Sequence, residues 1–167
     1  LLLEKLDMKV VGDIDAKRSG KTQVKENKTS EYDKVDEKIH FTEDGHVGFP
    51  AGGFFAGMIY VAPNFIGITK KMILSGIRIL GNIIPIKFKE QTINTAYGRT
   101  SGISKSPRLI IRPEFRDWSC QLEIRFNKSI IKGEQVINLL NWAGFSAGIG
   151  GWRPNCKGSY GQYKVKP

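Results

Sequence analysis

The chain has 167 residues, 40% of them hydrophobic and 25% charged, with a net charge of +10. That length suits one domain with a real core, and no apolar run approaches the ~18–20 residues that would span a bilayer. Its two cysteines, Cys120 and Cys156, exclude a disulfide framework; with two histidines at unrelated positions they make no zinc site.

Charge is unevenly distributed. From Ile86 onward there are fourteen Lys/Arg against five acids, so that half carries +9 of the +10. Such asymmetry favours a polyanionic partner, with nucleic acid ahead of an acidic protein or a membrane surface. A reducing, cytoplasmic setting is expected from the cysteine usage.

Residues 1–12 alternate weakly (Leu1, Leu3, Leu6, Met8, Val10) and read as a strand or a frayed helix. Leu1-Leu2-Leu3 runs at once into Glu4 and Lys5, unlike a secretory signal. With no initiator Met, the chain is open to being a piece of a longer protein. From Asp13 to Asp36 the sequence is almost wholly polar, too poor in apolar residues to bury a core, and reads as a long loop or disordered linker. This places an N-terminal segment at 1–36 and a folded domain at 37–167.

Lys38 to Thr42 alternates like a strand, and Asp44-Gly45 before Val47 and Phe49 signals a hairpin. Pro50 suits a first helical position. Phe54, Phe55, Met58, Ile59 and Ala62 at helical spacing predict an amphipathic helix over 50–62. Glycines at 52, 53 and 57 weaken that helix and would let it lie close to a sheet; Pro63 ends it. The runs Ile77-Ile79-Leu80 and Ile83-Ile84-Ile86-Phe88, broken at Gly81-Asn82, read as a bent strand or a tight pair of strands, with Pro85 at an edge or bulge.

Residues 89–116 form a long basic excursion. It carries Lys89, Arg99, Lys105, Arg108, Arg112 and Arg116, with Tyr97 among them, and a short strand is expected between Pro107 and Pro113. A connection this long inside a small domain is usually functional or mobile. Its spread charges suit tracking a phosphate backbone. Asp117 to Phe126 is the clearest strand, with Trp118, Cys120, Leu122, Ile124 and Phe126 on one face and Cys120 expected in the core. Glu134 to Ala143 predicts the next helix, stopped at Gly144, and Gln162 to Val165 a short final strand.

Between that helix and the tail lies a loop containing Gly148, Gly150, Gly151, Gly158 and Gly161. Glycines let a backbone approach a ligand, and a row of exposed N–H groups makes an anion nest. Arg153 and Lys157 would hold phosphate; Trp152 and Tyr160 would stack on bases. The opposing possibility is a structural turn whose aromatics fill the core, which is the better expectation for Tyr163. The loop follows a helix and contains no Gly-Lys-Ser/Thr, so it is neither a dinucleotide fingerprint nor a P-loop, and no cofactor is expected. His40 and His46 are the only histidines; one would have to serve as general base if the chain cleaved RNA, and nothing in the sequence links either to a second catalytic group.

The element order read this way is α+β: the βαββαβ order of a ferredoxin-like sheet, with the basic excursion inserted between its second and third strands. The ending from Gly148 to Val165, with Gly48-Phe49-Pro50-Ala51 and Phe115-Arg116-Asp117-Trp118-Ser119, resembles a group of uncharacterised bacteriophage proteins over roughly residues 47–165. More distantly, the loop is similar to the C-terminal glycine-rich loop of the RAMP superfamily, the ferredoxin-like RNA-binding subunits of CRISPR complexes. There the glycine loop and the excursion contact RNA. The resemblance implies that Gly148, Gly150, Gly158 and Gly161 are the loop glycines. It also implies a non-enzymatic binder of single-stranded RNA or DNA in the host cytoplasm, open to self-assembly. Two alternatives stand beside it: a phage protein-interaction module acting on an acidic partner, and a metal-independent endoribonuclease.

Overall fold

A computed structural model describes residues 1–3, 32, 35–99 and 107–166, with the backbone alone for Arg99 and Arg108. The expectations for residues 4–12, for nearly all of the polar stretch 13–36, and for Lys105 lie outside the described residues. The hairpin signalled by Asp44-Gly45 is present. β1 (His40–Phe41) and β2 (Val47–Pro50) pair antiparallel, and the turn closes with Thr42 N–H donating to His46 O at 2.8 Å.

Helix α1 (Ala51–Val61) follows directly. Its buried residues Ala51, Phe54, Met58 and Val61 recur at three- and four-residue spacing, so one stripe faces inward. That stripe serves two hydrophobic clusters. Ala51 and Phe54 join Leu1, Leu3, Ile39, Ile84, Ile86, Phe115 and Ile149; Met58 and Val61 join Ile73, Ile77, Ile131, Val136 and Leu139. Full burial of Phe54 contributes about 2–3 kcal/mol by area. Gly57 also faces inward: a Cβ there would meet Ala143 Cβ at 3.2 Å. This close approach is to the segment after the last helix, whereas a Cβ at Gly53 would overlap the ring of Phe49 in β2, on the sheet side as expected.

A short helix, α2 (Lys70–Gly76), precedes the β-branched runs and has no counterpart in the sequence reading. Thr69 caps it, its hydroxyl accepting from Met72 N–H at 3.2 Å. The runs themselves form a pair of strands, β3 (Ile77–Ile79) and β4 (Ile83–Lys87). Pro85 is exposed where β4 changes partners: β2 covers Ile83 to Pro85, and the next strand covers Ile86 and Lys87. A residue without an N–H fits that point.

The excursion is not a loop. It is an antiparallel ribbon of β5 (Glu90–Arg99) and β6 (Pro107–Arg116), ten residues on each side in unbroken register from Glu90↔Arg116 to Arg99↔Pro107. Pro113, expected to limit the strand, is accommodated within β6. On the other side of β6, Leu2 bridges Glu114, Leu3 N–H donates to Pro113 O, and Phe115 N–H donates to Leu1 O. Leu1 to Leu3 are therefore extended and buried.

The strand expected over 117–126 is divided into β7 (Ser119–Cys120) and β8 (Ile124–Phe126). Its alternation holds: residues 118, 120, 122, 124 and 126 are half-buried and those between them exposed. The four-stranded sheet has the order β1-β2-β4-β7, and β3 pairs with β8. Helix α3 (Gly133–Trp142) starts with Gln135 Oε1 reaching back to accept from Lys132 N–H, one half of a capping box. Gly144 does not stop it. The chain continues through a wide π turn, Ala143–Ala147, and leaves at Gly148. Gly144 is instead the place where Tyr163 packs backbone to backbone.

The fold is α+β, with antiparallel sheets and three α-helices among the described residues. It differs from the βαββαβ expectation at two points. β2 and β4, on either side of α1, are antiparallel neighbours, where a ferredoxin-like unit would place them parallel with a strand between. Residues 162–165 are extended but join no described strand. Tyr163 N–H donates to Gly144 O and Val165 N–H to Asn141 Oδ1, so these amides are spent on α3 and its π turn. An apolar groove of about 750 Å³ separates this tail from the β7–β8 edge. Among the described residues no helix is long and apolar enough to cross a membrane.

Candidate nucleic-acid interface

The two stretches singled out by composition, the basic excursion and the glycine loop, meet. The ribbon lays its even-numbered face against the loop through a polar chain. Glu114 accepts from Arg116 Nε at 2.9 Å and from Asn94 Nδ2 at 3.2 Å, and Asn94 Nδ2 also donates to the Tyr160 hydroxyl at 3.1 Å. Burial works to raise the Glu114 carboxyl. The hydrogen bonds from Arg116 and Asn94, with the Arg116 charge, outweigh it and hold the group below its ordinary value. Arg116 is held correspondingly higher, chiefly by the Glu114 hydrogen bond, and lies 3.6 Å from Glu90 as well.

Next along β6, Arg112 is 7% exposed, and its guanidinium carbon stands 5.4 Å from the centroid of the Trp152 ring. Trp152 and Tyr160 are 6.5 Å apart, tilted by 39°. Trp152 itself has φ +48, a left-handed conformation costing a bulky residue about 1–2 kcal/mol. The neighbours that impose it include Tyr160 N–H, which donates to Trp152 O. Strain of this kind persists where the surroundings over-determine it, and it gathers at functional sites.

Arg112 and Trp152 border an open cleft of about 340 Å³. Arg112, Trp152, Arg153, His40, Cys156 and the Gly150–Gly151 backbone form its walls. Arg153 donates to Gly150 O at 2.9 Å, which orients its planar fork along the loop. Lys157 is exposed at the next bend with φ +62. Three distant parts of the chain thus meet at the cleft: His40 from β1, the half-exposed Arg153 from the loop, and Arg112 from β6, whose Nε and one Nη are buried.

At Gly148 the amide is spent within the chain, and at Gly150 the missing side chain makes room for a neighbouring carbonyl. Gly148, Ile149, Gly151, Lys157, Gly158 and Tyr160 all spend their N–H groups on carbonyls of the chain itself. They form no outward row of amides. A Cβ at Gly150, where φ is +76, would overlap the Leu2 carbonyl; one at Gly161, φ +68, would overlap the Ile149 carbonyl. The loop is glycine-rich because the N-terminal segment and the tail press against its backbone. Trp152 is half-buried with one indole face taken by Arg112, and the Tyr160 hydroxyl is engaged by Asn94. Arg99 and Arg108 stand opposite Pro107 and Gly98 in the ribbon backbone. Tyr163 packs on Phe54 and Trp118 inside the core, and burial raises its phenol well above the ordinary value. Cys120 packs on the apolar face, its thiol pushed up to about 11 by burial.

His40 belongs to the cleft, and the sequence offered no signal for that, because β1 and the loop are over a hundred residues apart. His46 sits out in the hairpin turn, exposed. Among the described residues no group of three His, Cys, Asp or Glu could hold a metal ion. Comparisons with protein-family models, with curated proteins and with solved structures find no match for this chain.

Proposed function

We propose that this protein binds single-stranded nucleic acid, without cleaving it, at the cleft between β6 and the glycine loop. The observation that carries the reading is the convergence of Arg112 and Arg153 on one open cleft beside Trp152, in the half of the chain that holds +9. A guanidinium fork matches a phosphate bidentately, and a partly exposed indole edge gives a base an apolar contact. The likeness to bacteriophage proteins, and to RAMP subunits in which a glycine loop and an insertion contact RNA, agrees with this reading. The proposal rests on the cleft and not on either of these.

Arg153→Gln and Lys157→Asn test it, with Lys71→Gln on α2 as the control. Asn is chosen at 157 because it tolerates the left-handed backbone there. Arg153→Gln, in the cleft, is expected to weaken binding of a labelled single strand by about five- to tenfold and to lower the salt slope by about one, and Lys157→Asn, at the bend beside it, to do so to a smaller extent. The control should change neither. Full affinity in Arg153→Gln would remove the cleft as the site. Strand cleavage lost on His40→Ala would instead make the protein a nuclease.

A second reading, a protein-interaction module, is favoured by a separate feature: exposed apolar side chains on the ribbon, Ile93 at 53% and Tyr97 at 86%.

A further inference from the structure

The outer edge of β5 pairs with nothing among the described residues. Such an edge is a template for another strand, and proteins usually blunt it with Lys, Pro, a bulge or brevity. β5 has none of these. It is ten residues long, its register with β6 is unbroken, and its only charges are Glu90 and Arg99 at its two ends. The other edge of the ribbon is treated differently: β6 contains Pro107 and Pro113 and is covered in part by Leu1 to Leu3.

Side chains along β5 alternate. Gln91, Ile93, Thr95 and Tyr97 are exposed, while Thr92, Asn94, Ala96 and Gly98 face inward. We infer that β5 is a self-association edge whose occupant is β5 of a second copy of this chain, joining two ribbons into one antiparallel four-stranded sheet around a two-fold axis at Thr95. Symmetry and self-complementarity fix this register. A two-fold axis perpendicular to the sheet keeps each side chain on its own face, so only registers centred on a residue are allowed. Centring on Thr95 sets Ile93 opposite Tyr97 of the second copy, Thr95 opposite Thr95, and Gln91 opposite Arg99. The first two are the β-branched–aromatic and Thr–Thr pairs that stabilise antiparallel sheets. Centring on Asn94 would set Ile93 opposite Thr95 and Tyr97 opposite Gln91; centring on Ala96 would set Ile93 opposite Arg99. Neither joins the two apolar side chains. The same arrangement accounts for two large apolar residues standing exposed at i and i+4 on one strand face.

The inference is independent of nucleic-acid binding, since its residues do not line the cleft. It is tested by cysteine cross-linking in a Cys120→Ala, Cys156→Ser background, with sedimentation of the unaltered chain alongside. The unaltered chain should sediment at twice its monomer mass near 100 µM. Thr95→Cys should form a disulfide dimer under mild oxidation. Ile93→Cys and Tyr97→Cys should each fail alone and cross-link when mixed. Ile93→Glu with Tyr97→Glu sets like charges across the axis and should raise the dimer dissociation constant about tenfold or more, with the circular dichroism of the fold unchanged. A monomer at 100 µM would overturn the inference. So would a dimer in which Thr95→Cys cross-links no faster than Cys156 in a Cys120→Ala chain, or one that survives the double Glu variant.

Discussion

Gly161 and Gly52 are the same residue under opposite constraints. At Gly161 a side chain would need a left-handed backbone and the space occupied by the Ile149 carbonyl; at Gly52, on the exposed side of α1, a Cβ meets nothing within 4 Å. Gly161→Ala should therefore destabilise by about 3 kcal/mol or more, while Gly52→Ala should stabilise by about 0.5–1 kcal/mol through helix propensity. Thermal unfolding separates them, since 1 kcal/mol moves the midpoint of a domain this size by about 2–4 °C. The sequence marked the glycine loop as special, but composition cannot distinguish a backbone opened for a ligand from one pressed against its own chain. The answer lies in Leu2, Ile149 and Tyr163, which no local pattern connects to the loop. Glu114 adds a pH-dependent term. Its carboxyl is held below the ordinary value of 4.5, so its stabilisation is complete above that pH and is lost as pH falls through the lower folded value. Glu114→Gln should lower the midpoint at pH 7 and flatten the acid limb of stability against pH; an unchanged acid limb would deny Glu114 this role.

At the scale of elements, what was legible followed strong periodicity. α1, α3, the Asp44-Gly45 hairpin and the alternation of 118–126 rest on patterns within ten or twelve residues. The ribbon did not show itself because Gln91-Thr92-Ile93-Asn94-Thr95 has little apolar contrast. Its strands are specified by cross-strand pairing and by Leu1 to Leu3, at long sequence separation. α2 was hidden by its length of seven residues, although Thr69 before Lys70-Lys71-Met72 is an N-cap signal in retrospect. The tail looked like a strand because Tyr163 and Val165 alternate inward, yet its amides bond to Gly144 and Asn141. Asn141→Leu should free the tail from α3. The Val165 amide is then expected to lose most of its hydrogen-exchange protection while amides in α1 keep theirs; equal loss in α1 would mean the tail is part of the global unfolding unit.

For the whole molecule, charge asymmetry was the most informative quantity in the sequence, and the fold concentrates part of it. β6 and the loop bring Arg112 and Arg153 to one cleft, and Arg116 is drawn into ion pairs with Glu114 and Glu90. The number of arginines in a basic stretch therefore overstates the number left to meet phosphate. The ribbon edge gives the molecule a way to place two such clefts in one assembly, which would lengthen the strand it contacts without adding affinity at either cleft. Fluorescence anisotropy of a labelled single-stranded RNA of about 20 nucleotides, titrated between about 50 and 300 mM salt, bears on the central claim most directly. Neutralising three or four phosphates predicts that log Kd rises linearly with log salt at a slope of about 2–3, with the single strand preferred to the duplex. A Kd that stays constant across that range, or no binding at the low-salt end, would contradict the account.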